Sequence, residues 1–430
     1  MRRYESYKDS GVEWLGKIPS QWELTIGMNV FRENKRDNKG MKEKTVLSLS
    51  YGQIIIKPEE KLVGLVPESF ETYQIVEPND IIIRCTDLQN DQTSLRTGLA
   101  KDKGIITSAY LNLKVINNHS AKFLHYYLHT LDITKVLYKF GSGLRQNLSF
   151  LDFKRLPIID IPLSEQQKIA QFLDDKTAKI DQAVDLAEKQ IALLKEHKQI
   201  LIQNALTRGL NPDVPLKDSG VEWIGQVPEH WEVKKIKHVT SKIGSGITPL
   251  GGGSNYIDGG IPLLRSQNIH FDRIDLNDVA RISEFTHNSM KNSKVRKGDV
   301  LLNITGGSLG RCFYVDSNEE MNVNQHVCII RPNKKINTIF LNMLLASEIG
   351  QKQIWFFQQG GGREGLNFQA IKNFYLPLPD LEEQQKIAIY LDKQAAKIDQ
   401  AIALKTAHIE KLKEYKSVLI NDVVTGKVRV

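Results

Sequence analysis

The chain has 430 residues, of which 41% are hydrophobic and 25% charged, the balance of a folded globular protein too long for one ordinary core, so two or more domains are expected. No apolar run approaches the roughly 20 residues that cross a bilayer, and the N-terminal MRRYESYKDS lacks the apolar core of a secretion signal, so a cytoplasmic location is expected. The net charge of +8, with a pI near 9.0, suits a polyanionic partner and an ordinary basic enzyme alike; three cysteines without a C-x-x-C pair (Cys85, Cys312, Cys328) speak against a disulfide framework or zinc finger and for buried, inert thiols.

In chain order, the first recognisable segment is DSGVEWLGKIPSQWEL (9–24), which returns as DSGVEWIGQVPEHWEV (218–233). Trp14 matches Trp223, Pro19 matches Pro228 and Trp22 matches Trp231. A second pair follows: EQQKIAQFLDDKTAKIDQA from Glu165 and EQQKIAIYLDKQAAKIDQA from Glu383. Weaker matches lie between them, EPNDIII (from Glu77) with RKGDVLL (from Arg296), and GSGLRQNLSF (from Gly141) with GGGREGLNFQ (from Gly361). The offset between copies has already widened at Asp80 and Asp299. The extra residues of the second copy therefore enter early, in the glycine-rich GSGITPLGGGSNYIDGG from Gly244, as a loop insertion. Each copy reads as motif, divergent globular region and long helix.

The helices begin after Pro162 and Pro379, with capping boxes expected from Ser164 with Gln167 and from Asp380 with Glu383. Apolar positions then recur every three to four residues. In the first copy they are Leu173, Thr177, Ile180, Val184, Ala187, Ile191, Leu194, Lys198, Leu201 and Ala205. In the second they are Leu391, Ala395, Ile398, Ile402, Lys405, Ile409, Leu412, Lys416, Leu419 and Val423. Gly209 with Pro212 stops the first helix and Gly426 the second. Rods of some 40 residues, roughly 60 Å long, carrying matched stripes are expected to pack on each other as an antiparallel coiled coil. The expected fold class is α+β, with two homologous mixed α/β domains, two long helices and an internal pseudo-two-fold repeat. The expected division is 1–163, a first globular domain; 164–208, a central helix; 209–379, a second globular domain; and 380–430, a distal helix with the C-terminus.

Catalytic motifs are sparse. No G-x-x-x-x-G-K-[ST], H-E-x-x-H or Pro-Pro pair occurs, so neither a Walker-type site nor the Pro-Pro-aromatic motif of a DNA amino-methyltransferase is supported. His125 and His129 stand four apart, but no third metal ligand is suggested. Asp213 with Glu232 and Lys234 imitates the Pro-Asp…Glu-x-Lys pattern of metal-dependent nucleases. At the same register the first copy has Tyr4, Glu23 and Thr25, and the motif straddles a helix stop and a tryptophan-rich segment, so the match reads as chance. Glycines 251–253 and 360–362 read as surface loops. A coiled-coil scaffold bridging protein partners is the other alternative.

The polar segments between the repeated motifs are the functional candidates. They are RCTDLQNDQTSLRTG from Arg84, which is likened in position to LLRSQNIH (263–270), then NITGGSLGR (303–311), VNQHV (323–327), GSGLRQN and QQGGGREG. Their DNA-contacting candidates are Arg84, Thr86, Gln89, Arg96, Arg145, Gln146 and Asn147 in the first copy. In the second they are Arg265, Gln267, Asn268, Asn303, Thr305, Arg311, Gln325, Gln358 and Arg363. Arg reads guanine and Asn or Gln reads adenine by paired hydrogen bonds, and Arg, Ser and Thr also hold phosphates.

With the doubled tryptophan motif, GSGITPLGGGSNYIDGGIPLLRSQNI, LPLPDLEEQQKIAIYLD and LSEQQKIAQFLDDKTAKID in this order, essentially the whole chain resembles a specificity subunit of a type I restriction-modification system. The resemblance implies two target recognition domains, each reading one half of a bipartite double-stranded DNA site, and helices that act as a spacer. It implies no catalytic, cofactor or metal site on this chain. It also implies two modification (methyltransferase) subunits using S-adenosylmethionine to methylate adenine, two ATP- and Mg-dependent restriction subunits, and no membrane partner. The first region, VLSLSYGQIIIKPEEKLVG, lacks the glycine-rich opening of the second, so the half-sites are expected to differ.

Overall fold

The repeated motif folds identically in both places because its small polar residues dictate the same turns. In the first copy Asp9 Oδ1 accepts from the Gly11 amide at 2.9 Å and Ser10 Oγ from the Val12 amide at 3.1 Å. The same bonds join Asp218 to Gly220 and Ser219 to Val221, at 2.9 and 3.2 Å. These turns close short antiparallel hairpins, Tyr7–Asp9 on Lys17–Pro19 and Leu216–Asp218 on Gln226–Pro228. The computed structural model describes residues 2–58, 60, 69–91, 93–140, 147–249, 252–358 and 365–430. By internal packing the chain forms two compact units, one of residues 1–188 with 406–430 and one of residues 189–405.

In the first unit a four-stranded antiparallel sheet has the order Phe31–Glu33, Leu111–Val115, Ile81–Ile83, Thr97–Leu99. In the second the order Thr240–Ser245, Val327–Pro332, Val300–Asn303, Cys312–Tyr314 is the same. A helix then follows in each, Ala121–Ile133 and Thr338–Ala346. In each, too, the strand after the tryptophan motif pairs with the strand that leads into the long helix: Glu23–Ile26 with Pro157–Asp160, and Glu232–Lys235 with Tyr375–Leu378. The internal repeat is therefore a repeat of fold. The copies part between the first two strands of this order. There the first unit has the hairpin Leu47–Ser50 with Gln53–Ile56. The second has strand Ile261–Leu264 between Ala280–Ile282, antiparallel, and Asn322–Val323, parallel. The parallel bridge between Val46 and Ile105 is the counterpart of that last pairing. Arg84 thus follows the strand that matches Val300–Asn303, so RCTD corresponds to NITGG and not to LLRSQ. The likeness drawn from two apolar runs is corrected by the pairing.

The long helices run Leu163–Arg208 and Leu381–Val424. Every position of the two stripes is buried or half-buried. Two lysines that interrupt the apolar pattern reach across to carboxylates, Lys198 to Asp399 at 2.7 Å in the second unit and Lys416 to Asp181 at 2.6 Å in the first. Lys405 donates to Gln190 Oε1 at 2.6 Å. As Gln190 advances to Lys198 the partner falls from Lys405 to Asp399, so the helices are antiparallel. Exposed pairs of this kind add little stability, and their use is to fix register.

The expected capping boxes are not formed. No bond from the Ser164 side chain is found, and Pro162 O accepts from the Glu165 and Gln166 amides. Asp380 Oδ1 does accept from the Glu383 amide at 2.8 Å, but the Glu383 carboxylate does not return the bond. It takes the Trp231 indole N–H at 3.0 Å, as Glu165 takes that of Trp22 at 3.1 Å. Both indoles are fully buried. The next residue is used the same way twice. Gln166 accepts from the Ser120 amide at 2.8 Å and donates to Ile161 O at 2.8 Å. Gln384 accepts from the Asn337 amide at 2.7 Å and donates to Pro379 O at 2.9 Å.

The helix ends complete each pocket. Gly426 (φ +77°) leaves no room for a Cβ, which would stand 2.4 Å from Pro19 Cδ and 2.7 Å from Trp22 Cζ3, and Gly209 (φ +76°) lies against Trp231 and Glu383. Near the C-terminus Arg429 forms an isolated antiparallel bridge with Arg2. The cysteines are buried, which pushes each thiol up to about 12. No helix among the described residues is long and apolar enough to cross a membrane.

Two outcomes follow from this packing. Gly426→Ala adds both left-handed backbone strain, about 1–2 kcal/mol, and a clash, so denaturant unfolding should show a loss of about 2 kcal/mol or more; a neutral result would contradict the pocket. Burial also pushes His125 down to about 4 and His129 down to about 3, against roughly 6.5 in an unfolded chain. The unfolded state then binds protons first. The stability that neutral imidazoles contribute is complete above about pH 6.5 and is lost as pH falls through about 4 and about 3. The urea midpoint should decline across that window, and less steeply in His129→Leu.

Candidate nucleic-acid interface

The strand registers bring the candidate loops to one rim of each sheet. In the second unit Asn303 pairs with Val327, Ser245 with Cys328 and Leu302 with Cys312. The rim therefore collects the loops that leave Ser245 and Asn303 and enter Cys312 and Val327. The loop after Leu264 joins them, since Asn303 Nδ2 donates to Ser266 O at 2.7 Å and the Asn324 amide to Leu264 O at 3.0 Å. The first unit collects the loops after Glu33 and Ile83 and before Thr97 and Leu111 at the matching rim.

The candidates divide by what their side chains already do. Arg96 is buried, and its guanidinium donates to the carbonyls of Arg84, Thr86, Asp87 and Asp91 and to the Tyr138 hydroxyl. It shapes the 84–96 loop from within and has no donor turned to solvent. Asn268 is buried, accepting from the Arg265 amide at 3.0 Å and donating to Asp275 O at 3.0 Å. Asn303, also buried, ties the two loops as described. These three hold the loops in shape.

Ten of the remainder are at least partly open to solvent. Gln89, Asn147, Gln267 and Gln325 are exposed, while Arg84, Thr86, Arg265, Thr305, Arg311 and Gln358 are half-buried. Arg84 pairs with Asp91 at 3.1 Å. Asp91 is pushed down to about 2, chiefly by the Ser94 amide and hydroxyl. Asn147 Oδ1 accepts from the Asp87 amide at 3.0 Å, leaving its own N–H groups for another partner. Arg265 lies over the Tyr256 ring at 5.7 Å, a platform the loop composition did not announce. Gln358 ends the helix Glu348–Phe357. Arg145, Gln146 and Arg363 lie outside the described residues.

Sequence reasoning missed His326 and Thr248. The Thr305 hydroxyl and His326 Nδ1 are 2.7 Å apart, His326 Nε2 and Gln325 Nε2 3.0 Å, and Thr248 Oγ1 donates to Gln325 Oε1. His326 lies inside the VNQHV segment singled out by sequence, though it was not named there as a contact. Thr248 meets Gln325 only through the fold.

The nuclease constellation is not assembled. Glu232 and Lys234 do lie on a paired strand, contrary to the expectation, but they neutralise each other at 2.6 Å. Asp213 is exposed in the turn after the first long helix, where its amide donates to Asn211 Oδ1. His125 and His129 are half-buried, ring to ring at 6.1 Å, with one ring nitrogen of each shut off from solvent. Among the described residues no three His, Cys, Asp or Glu side chains gather as a metal site.

A family model described as the type I restriction modification DNA specificity domain matches residues 29–195 and again 228–414. The chain is 28% identical over 364 residues to the type I restriction enzyme MjaVIII specificity subunit of Methanocaldococcus jannaschii, spanning 83% of this chain and 80% of that one. To the EcoBI specificity subunit of Escherichia coli it is 30% identical over 248 residues, 55% of this chain and 51% of the relative. In fold it matches a chain from a structure of type I R-M system assembly, with a TM-score of 0.70 at 15% identity over 96% of this chain and 99% of that one. It also matches the HsdS subunit from Thermoanaerobacter tengcongensis, with a TM-score of 0.56 at 15% identity over 96% and 98%.

The division between framing and outward residues is testable by one pair of variants. Arg96→Ala strands buried carbonyls and should lower stability by about 2–4 kcal/mol. Gln89→Ala should stay within about 0.5 kcal/mol of the parent and act on duplex binding alone. Urea unfolding and a binding titration of both variants separate the two roles, and a stable Arg96→Ala protein with weakened binding would reverse the assignment.

Proposed function

Because the chain belongs to the type I restriction-modification specificity subunits, we propose that its two units read the two halves of a bipartite, asymmetric site in duplex DNA. The observation that carries this reading is a common sheet frame whose matching rims bear different polar side chains. A frame shared by both modules gives each the same way of meeting DNA. Unlike residues on the rim give each its own base preference.

The chain supplies recognition and no chemistry of its own. Methyl transfer to adenine from S-adenosylmethionine is assigned to two modification subunits, and ATP- and Mg-dependent cleavage to two restriction subunits, in the cytoplasm. The two long helices serve as the spacer that sets the unread gap, and they also offer the docking surface. Leu186, Tyr415 and Val418 in the first unit, and Leu193, Ile200 and Leu404 in the second, are exposed apolar positions on these helices outside the stripe. Such side chains are suited to further helices from the modification subunits.

The reading is tested by duplex binding of the chain assembled with its methyltransferase subunits. We expect sequence-dependent binding that weakens steeply with salt, by about a thousandfold or more between 50 and 200 mM for six to ten phosphate contacts. Binding without sequence preference, or assembly with other proteins and no affinity for DNA, would favour a scaffold instead.

A further inference from the structure

We infer that Gln325 is a specificity residue that selects adenine in the half-site read by the second unit. This rests on the DNA-reading assignment above and goes beyond it to one residue and one base.

Gln325 is exposed at the rim, yet its amide is not free to turn. Thr248 Oγ1–H donates to Oε1, and Nε2 meets His326 Nε2 at 3.0 Å. An amide nitrogen can only donate, so His326 Nε2 is the acceptor and its proton lies on Nδ1. That proton faces the Thr305 oxygen at 2.7 Å. One consistent set of donors and acceptors thus runs Thr248, Gln325, His326, Thr305, and it holds both ends of the amide. His326 is itself held, because its backbone amide donates to Asn324 Oδ1 at 3.0 Å.

After these bonds the amide keeps one N–H and one oxygen lone pair. In the major groove adenine alone presents an acceptor beside a donor, N7 beside N6–H. Guanine presents two acceptors there, which would leave the amide oxygen facing another oxygen. Cytosine and thymine each offer a single polar group to such a pair. A pinned amide has also given up its rotational freedom before binding, so little ordering cost remains to be met by the contact.

The first unit shows the same frame without the reader. Thr107 Oγ1 accepts from the Ala109 amide at 3.3 Å, as Asn324 accepts from that of His326, and Leu111 opposite Ile83 matches Cys328 opposite Leu302, so Tyr110 stands where Val327 does. The two positions of this turn are Ser108 and Ala109 where the second unit has Gln325 and His326. The selection therefore belongs to one half-site.

The test is recovery of duplexes from a randomised pool by the chain assembled with its methyltransferase subunits. The parent should recover a bipartite sequence. Gln325→Ala should make one adenine of one half-site degenerate, lowering the preference for it by about tenfold to a hundredfold, and leave the other half-site intact. Thr248→Val, which removes the pin and keeps the reader, should weaken the same preference to a smaller degree. If the parent recovers a defined sequence and Gln325→Ala recovers the same one, this inference fails while the DNA-reading assignment stands. If the parent recovers no defined sequence, the assignment itself fails and the inference with it.

Discussion

The tryptophan indole that donates to a carboxylate in the first turn of a long helix is the contact on which the rest depends. Trp22 reaches Glu165 and Trp231 reaches Glu383, and each is a buried aromatic with its one polar atom satisfied by a group from a distant part of the sequence. Such a side chain removes a large apolar area from water without leaving a donor unpaired. The neighbouring glutamine then fixes the start of a second helix, at Ser120 or Asn337. Two successive residues, Glu-Gln, thereby tie the motif, the globular region and the long helix to one point. The glycine that ends the other helix closes the same pocket, Gly426 against Trp22 and Gly209 against Trp231. Each module is held where one helix begins and the other stops.

This arrangement leaves the far rim of each sheet free to vary. The bonds that hold the frame are spent near the helices, while the rim loops are braced by their own internal hydrogen bonds. Arg96 braces the 84–96 loop through backbone carbonyls. Asn268 and Asn303 brace the corresponding region of the second unit. Side chains such as Gln89, Gln267 and Gln325 can then differ between modules at little cost to the core.

Periodicity and repetition were legible in the sequence because they are properties of many residues at once. The stripe from Leu173 to Ala205 and its counterpart from Leu391 to Val423 are buried or half-buried as read. The short turns of the doubled motif follow from Asp, Ser and Gly at fixed spacing. Single-residue roles were less legible. Arg96 and Arg265 have the same chemistry, yet one serves carbonyls inside a loop and the other lies over Tyr256 at the surface. Asn268 and Asn147 differ in the same way. Glu383 occupies a capping position by sequence, but a buried indole is the stronger claim on its carboxylate, because an unpaired buried N–H costs more than a cap contributes. The likeness of RCTD to LLRSQ failed because two apolar strands look alike until their partners are known.

We propose that this chain directs methylation to one bipartite sequence. Mapping N6-methyladenine across the genome of cells that carry the modification subunits, with and without this chain, tests it most directly. Methylation should be confined to two unlike half-sites separated by a constant gap, present with the chain and absent without it. The same methylation in both cells, or methylation at sites that share no such pair of half-sites, would contradict it.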